Sequence, residues 1–437
     1  MSLCRQFFTV FLTVFFASSA FAAGPAIGPV SLDFILFALV LAGVALLHQH
    51  ALKVAVIGAV VIATYKIAFA GFKTGAGIAG FMGHLGHEWV LLANLLCLLV
   101  GFALLSDHFE QSKVPKVMPH YLPDDWRGGF VLLVLVFVLS AFLDNIAAAL
   151  IGGAVASAVY RKKVHIGFLA AIVAASNAGG SGSVVGDTTT TMLWLAGASP
   201  LSVLDAYVAA FTALMFVSYF AAKQQHAFSP IIKDAKVAHR IDWARLAIVV
   251  WILGVAIVVN VLVNTRFGNL GDHFPVLGVA VWVAILVAIP LRKPDWSLIP
   301  GAAKGAVFLL SLVLCASMMP VDELPTASWP TALGLGFLSA VFDNIPLTEL
   351  AIKQGGYDWG MLAYCVGFGG SILWFGSSAG VALSSQFPEA RNAIAWIKGG
   401  WHVLVGYVIG FFVMLALTGW HPTPLKATST LLMPIAA

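Results

Sequence analysis

Charge is scarce in this chain. Asp, Glu, Lys and Arg make up 10% of its 437 residues, against about 25% in soluble domains. Too few charged side chains are present to clothe a solvated surface, so a soluble globular fold is excluded. A net charge of +4 is too small to suggest a nucleic-acid partner. Cysteine is scarce as well. Cys4, Cys97, Cys315 and Cys365 lie singly in apolar stretches without metal-ligand spacing, so neither a disulfide framework nor a zinc site is expected. The glycine-rich runs lack a Walker lysine, so ATP-driven transport is not supported. No serine or cysteine stands beside a base as a hydrolase nucleophile would. No enzyme and no resident cofactor are expected. What abounds is apolar: 60% of residues are hydrophobic, with mean hydropathy +0.97. The fold class is an all-α polytopic membrane protein, with the lipid bilayer as its first partner.

The opening "MSLCRQFFTVFLTVFFASSAFAA" has Arg5, an apolar run and Ala20-Phe21-Ala22, which predicts a signal peptide over 1–22. A span needs roughly 20 apolar residues. Ten are predicted, over 31–48, 52–70, 88–106, 165–197, 201–222, 246–264, 275–291, 303–320, 359–386 and 399–419. With the N-terminus outside, most lysines and arginines fall on the cytoplasmic side, among them Arg127, Arg161, Lys162, Lys163, Lys233, Lys236 and Arg292. The external side keeps Lys66, Lys73, Arg266, Lys353 and Lys426, the asymmetry that orients membrane proteins.

Two apolar stretches remain, 128–160 and 328–352. The first is bounded by Arg127 and by Arg161-Lys162-Lys163, so both of its ends belong in the cytoplasm. From Gly128 to Leu143 a helix reaches only about 24 Å, short of the roughly 30 Å hydrocarbon core. A re-entrant hairpin turning at Asp144-Asn145 is expected. The second stretch turns at Asp343-Asn344, where Pro346 disfavours helix at Ile345, and enters from the outside.

The two stretches are copies. "LSAFLDNI" at 139–146 and "LSAVFDNI" at 338–345 match at six of eight positions. Gly179-Gly180-Ser181 with Gly186-Asp187 is echoed by Gly369-Gly370-Ser371 with Gly376-Ser377, and "LPDDW" by "LPTASW". Two inverted repeats follow, each of five spans and one hairpin. Repeat 1 covers 29–222 with hairpin 128–160 and broken helix 165–197. Repeat 2 covers 246–419 with hairpin 328–352 and broken helix 359–386. Between them lies a cytoplasmic linker over 223–245, and an external tail covers 420–437. Such repeats, with a site at mid-membrane, are a plan of secondary transporters.

Carboxylates at mid-membrane are costly, about 2.5–3.5 kcal/mol each on insertion scales, so Asp144, Asp187 and Asp343 point to function. The glycines around them should unwind the helices and expose carbonyls. Carboxylate, carbonyl, amide and hydroxyl oxygens suit a hard cation. The candidate Na⁺ ligands are Asp144, Asn145, Ser181, Gly186, Asp187, Thr188, Asp343, Asn344, Gly376 and Ser377, with Ser183, Thr189, Ser371 and Ser378 nearby. No basic residue lies at either tip, and Lys304 sits at a span edge where it snorkels. Acids without a base favour a cation that competes with protons and disfavour an anion as sole substrate. His84, His87 and Glu88 form an interfacial polar face near the external surface, with metal binding or pH sensing as the alternative. Glu349 lines the hairpin, and Asp33 and Asp205 are solvated near span ends.

"FLDNIAAAL", "SNAGGSGSVVGDTTTTMLW" and "FDNIPL" with "GGSILWFGSSAGVA" resemble the NhaD-type sodium/proton antiporters. These belong to an ion-transporter superfamily with a citrate transporter-like domain, which also holds dicarboxylate carriers and arsenite-pump-type proteins. The resemblance runs from about Trp89 to Thr418. It implies a homodimeric scaffold, elevator-like alternating access in a bacterial inner membrane, and exchange of Na⁺ or Li⁺ for H⁺. One cation site would use Asp144, Asn145, Gly186 and Asp187, the other Asp343, Asn344, Gly376 and Ser377. A departure stands at Ser183-Val184-Val185, where the family pattern has Ser-Pro before the Gly-Asp. The alternative function is Na⁺- or H⁺-coupled transport of citrate or another di- or tricarboxylate; a channel or receptor fits the doubled hairpin less well.

Overall fold

The computed structural model describes residues 26–27, 30–47, 50–183, 186–232, 240–266 and 268–425. The predicted signal peptide, Val184-Val185, Lys233 and Lys236 of the linker and the tail from Lys426 onward lie outside the described residues.

A two-residue antiparallel ribbon, β1 (Ala26–Ile27) with β2 (Val30–Ser31), precedes a body that is otherwise helical. The first helices are α1 (Leu32–Leu46), α2 (Ala51–Tyr65) and α3 (Gly77–Gln111). Next come α4 (Trp126–Ser140), α5 (Asn145–Val159), α6 (Ile166–Gly180), α7 (Thr188–Leu195) and α8 (Ala206–Phe228). The second half holds α9 (Trp243–Arg266), α10 (Val276–Ala288) and α11 (Ile299–Ser317). It ends with α12 (Trp329–Ser339), α13 (Asn344–Gln354), α14 (Trp359–Gly369), α15 (Ser378–Gln386) and α16 (Trp401–Thr418).

Six helical stretches among the described residues are long and apolar enough to cross a membrane: 51–70, 77–111, 201–228, 243–263, 296–317 and 401–418. The other four predicted spans are shorter or interrupted. The stretch 31–48 yields the 15-residue α1, and 275–291 yields the 13-residue α10, which Pro275 caps at its start. The stretches 165–197 and 359–386 break where the glycines predict, between α6 and α7 and between α14 and α15. The helix expected over 88–106 extends to 35 residues, about 52 Å at 1.5 Å per residue.

The helices pack in two groups. One holds α1–α3 with α9–α11; the other holds α4–α8 with α12–α16. In the second group, α4 and α5 form a closed helical hairpin. Ile232 N donates to Val159 O at the end of α5, and the Ile231 side chain lies against Gly128 at the start of α4. The α12–α13 unit closes likewise: Gln354 Nε2 donates to Pro325 O at 2.7 Å, beside the start of α12.

Contacts recur between the halves. A Cβ on Gly179 would strike Phe137 O, and one on Gly369 would strike Gly336 O, at 2.1 and 2.2 Å. Only glycine permits α6 to approach α4, and α14 to approach α12, this closely. Phe137 meets Tyr207 edge-on and Phe337 meets Tyr407 edge-on. Helix partners are then exchanged: α5 of the first hairpin packs on α15, and α13 of the second packs on α7.

Three expectations are corrected. Asp33 is not solvated; it is 3% exposed and pairs with Lys66 Nζ at 3.0 Å, so Lys66 is buried rather than a surface charge. His84 and Glu88 are buried and do not form an interfacial face; only His87 of that trio is exposed. The long α3 carries this turn against α11, where His84 Nε2 meets Ser317 Oγ at 3.0 Å.

Candidate functional site

Four helices of the second group begin at its centre. Their N-caps are Asp144 for α5, Asp187 for α7, Asp343 for α13 and Ser377 for α15. The backbone repeats in pairs. Asp144 and Asp343 have φ, ψ of −53°, 139° and −56°, 142°; Asp187 and Ser377 have −147°, 141° and −142°, 153°. An N-cap oxygen satisfies backbone N–H groups that the first helical turn leaves open. Asp187 Oδ1 accepts from Thr189 N at 3.3 Å, Asp343 Oδ1 from Ile345 N at 3.1 Å and Ser377 Oγ from Gly380 N at 3.3 Å. Carboxylates are favoured here because the helix start carries partial positive charge.

The unwound segment is held in place. Ser183 Oγ donates to Ala141 O at 2.5 Å, tying the first break to the hairpin turn. Thr190 Oγ1 donates to Ser183 O, and Tyr207 Oη donates to Gly179 O at 2.9 Å. Thr189 Oγ1 donates to Asp187 Oδ2 at 2.9 Å, and Ser378 Oγ donates to Asp343 Oδ2 at 3.2 Å. Gly186 and Gly376 pack against the carbonyls of Ser140 and Ala340 at the hairpin tips, where a Cβ would meet those oxygens at 2.0 and 2.5 Å. Asp187 lies within electrostatic range of both Asp144 and Asp343.

A cavity of about 920 Å³ borders this centre. Its lining includes Asp144, Asp187, Thr188 and Thr191, together with Glu110 and His120. It runs between α5 and the helices α3 and α11, along the seam between the two groups. Among the described residues, no lysine or arginine lines it, and Asp343 is not on its wall.

All ten sequence-proposed ligands therefore lie on the hairpin tips or the two breaks. Asp144, Asp187 and Thr188 share the cavity. Asn145, Ser181, Gly186, Asn344, Gly376 and Ser377 are buried and, like Asp343, do not line it.

Asn177 is not among the expected ligands, although it lies in the Asn-Ala-Gly-Gly run beside them. Asn177 is fully buried and joins the halves: it accepts from Asn145 Nδ2 at 3.1 Å and donates to Ser371 Oγ at 2.9 Å and Ser377 Oγ at 3.1 Å. An asparagine in the apolar run of α6 was the signal. Sequence reasoning also left unlinked a charge cluster away from the centre. Lys353 Nζ sits 2.5 Å from Glu88 Oε1 and 3.7 Å from Glu349 Oε1, bridging α13 to α3. The i, i+4 spacing of Glu349 and Lys353 was legible; the reach to Glu88 was not. Among the described residues, no group of three His, Cys, Asp or Glu is placed to hold a metal ion.

No protein-family model matches the chain. It is 28% identical over 365 residues to sodium/proton antiporter 1 of Arabidopsis thaliana, a stretch covering 74% of this chain and 59% of that protein. It is 25% identical over 327 residues to the Na⁺/H⁺ antiporter NhaD of Vibrio cholerae, covering 65% and 69%. Against NhaD of Vibrio parahaemolyticus it is 28% identical over 396 residues, covering 74% and 90%. The chain thus spans less than two thirds of the plant relative's length. The resemblance to NhaD-type sodium/proton antiporters, first carried by the Asp-Asn and Gly-Asp motifs, is borne out by these relatives.

Proposed function

We propose that this NhaD-like chain is a secondary active transporter that exchanges Na⁺ or Li⁺ for H⁺. One observation carries the reading: Asp144, Asp187 and Asp343 stand at helix starts within electrostatic range of one another through Asp187, and the first two line a cavity with no lysine or arginine among its described lining residues. A buried carboxylate must be neutralised, by a proton or by a metal cation. Whichever binds first excludes the other, and that competition is the minimum an exchanger requires. Citrate or another organic anion would need a cationic partner, and the cavity offers acids instead. The names of the relatives agree with cation exchange.

In this reading the halves are inverted repeats, and the hairpins α4–α5 and α12–α13 are re-entrant from opposite faces. Their helices of 15 and 11 residues support this, being about 23 and 17 Å long against a hydrocarbon core of roughly 30 Å. The group α4–α8 with α12–α16 moves as the carrier against α1–α3 with α9–α11, which form the scaffold of a homodimer. The cavity faces the cytoplasm, the side that receives Arg127 and Arg161-Lys162-Lys163. The setting is a bacterial inner membrane.

The test is exchange by purified, reconstituted Asp144→Asn and Asp343→Asn. Each change keeps size and hydrogen bonding but removes a titratable ligand. Both variants are expected to fold and to lose cation-driven proton movement. Wild-type rates in both would reject the site.

A further inference from the structure

The two halves of the centre are unequal in one correlated way. Across the broken helices the repeats are offset by 190 residues, so Asn177 corresponds to Gly367, Ser181 to Ser371 and Asp187 to Ser377. The contacts follow that correspondence. The Asn177 amide nitrogen donates to Ser371 Oγ and Ser377 Oγ. A Cβ on Gly367 would point at the matching pair, 3.3 Å from Asp187 Oδ2 and 3.6 Å from the Cβ of Ser181. Where one half has an amide, the other has a hydrogen.

The unequal pair leaves a mark on the hairpins. Asn145 Nδ2 donates to Asn177 Oδ1 at 3.1 Å. Its counterpart Asn344 has only Gly367 at the corresponding place, and its Nδ2 is buried without a hydrogen-bond partner. A buried amide left unpaired is costly and calls for an explanation. Turned about its terminal torsion, the same amide presents an oxygen instead. Ser181 Oγ spends its proton on Ala178 O at 2.8 Å, so its lone pairs remain for another group. Thr189 already donates to Asp187 Oδ2.

An amide N–H pair held by two hydroxyl oxygens fills, without net charge, a place walled by cation ligands. Beside Gly367 stand the Asp187 carboxylate, Ser181 and the Asn177 carbonyl, the last 3.9 Å from a Cβ there, and no amide side chain comes from position 367. The charged residue and the missing side chain occur together, on the same side.

We propose that the chain binds a single cation, in the space beside Gly367 against Asp187, Ser181 and Asn344, and that the Asn177 amide fills the corresponding space in place of a second cation. This rests on the exchange reading above and fixes how many ions that reading carries. Gly367 then sets the size of the ion. A methyl group there stands 3.3 Å from the oxygen that the ion uses, and crowds Na⁺ more than the smaller Li⁺.

The test is Gly367→Ala in the full chain, purified and reconstituted, with equilibrium binding of radioactive Na⁺ and exchange driven by Na⁺ or Li⁺. Wild type is expected to bind one Na⁺ per chain. Because position 367 is helical, alanine favours the helix over glycine, and the variant should melt no lower than wild type. Its Na⁺ affinity should fall at least about tenfold, and its Li⁺ affinity less. Two Na⁺ per wild-type chain, with exchange intact, would overturn the single-ion proposal and leave the exchange reading standing. No Na⁺ binding and no exchange would overturn both. A folded Gly367→Ala with an unchanged ratio of Li⁺ to Na⁺ affinity would remove Gly367 from the site. If that variant fails to fold, the wild-type stoichiometry still decides.

Discussion

Lys353→Met tests the charge cluster that joins the second hairpin to α3. Lys353 holds two carboxylates, Glu88 at 2.5 Å and Glu349 at 3.7 Å, whose side chains are 6% and 0% exposed. At an effective dielectric of about 20, a unit positive charge at those distances gains about 7 and about 4 kcal/mol. Much of that gain offsets the cost of taking the two carboxylates out of water, and solvent at Lys353, which is one third exposed, screens more of it. Removing the lysine alone keeps the cost and loses the gain, and breaking a buried pair in this way typically costs about 3–5 kcal/mol. Methionine preserves most of the apolar stem, so lost packing contributes little. The assay is the apparent unfolding midpoint of purified protein in detergent, scanned at one fixed rate because such unfolding is often irreversible. The companion is Lys353→Met with Glu88→Gln and Glu349→Gln. Neutralising all three partners should recover most of the loss, since they couple strongly. A Lys353→Met protein as stable as wild type would refute the reasoning, as would a triple variant that is no better than the single one.

Cysteines placed at Arg127 and Lys162 should be labelled from the cytoplasmic side, and cysteines at Thr326 and Gln354 from the outside; opposite-side labelling within either pair would replace a hairpin with a spanning helix. Asp187→Ser should flatten the dependence of apparent Na⁺ affinity on pH more than Ser377→Ala does, because only the first removes a group that takes up a proton when the cation leaves. If Asp187→Ser keeps the wild-type slope, Asp144 or Asp343 carries the competition alone. Asp33→Asn should lower stability, because it leaves Lys66 buried without its partner at 3.0 Å; an unchanged unfolding midpoint would show that Lys66 finds another partner or water.

The centre was legible because its signals are local. An Asp-Asn pair in an apolar run marks a helix break, and the break puts Asp144 and Asp343 at helix starts. The runs Gly179-Gly180 and Gly369-Gly370 mark close approach, and their Cβ positions are indeed filled by neighbouring backbone. What escaped was pairing over long distances. Asp33 reads as a span-end charge until Lys66 is seen across the α1–α2 pair. Glu88 and Lys353 are separated by 265 residues, and no periodicity links them. Asn177 was visible as a residue, but its role depends on Ser371 and Ser377 of the other half. The short helices α1 and α10 read as full spans because hydropathy reports composition and not helix length; Pro275 at the start of α10 is one local stop that composition does not show.

The central claim is that the acids lining the cavity, which has no lysine or arginine among its described lining residues, exchange a monovalent cation for protons. Its most direct measurement uses proteoliposomes of the purified chain, loaded to hold a pH gradient, to which Na⁺, Li⁺, K⁺ or citrate is added in turn. The account predicts that Na⁺ and Li⁺ dissipate the gradient and that K⁺ and sodium-free citrate leave it intact. Dissipation by citrate and not by Na⁺ or Li⁺ alone would contradict it.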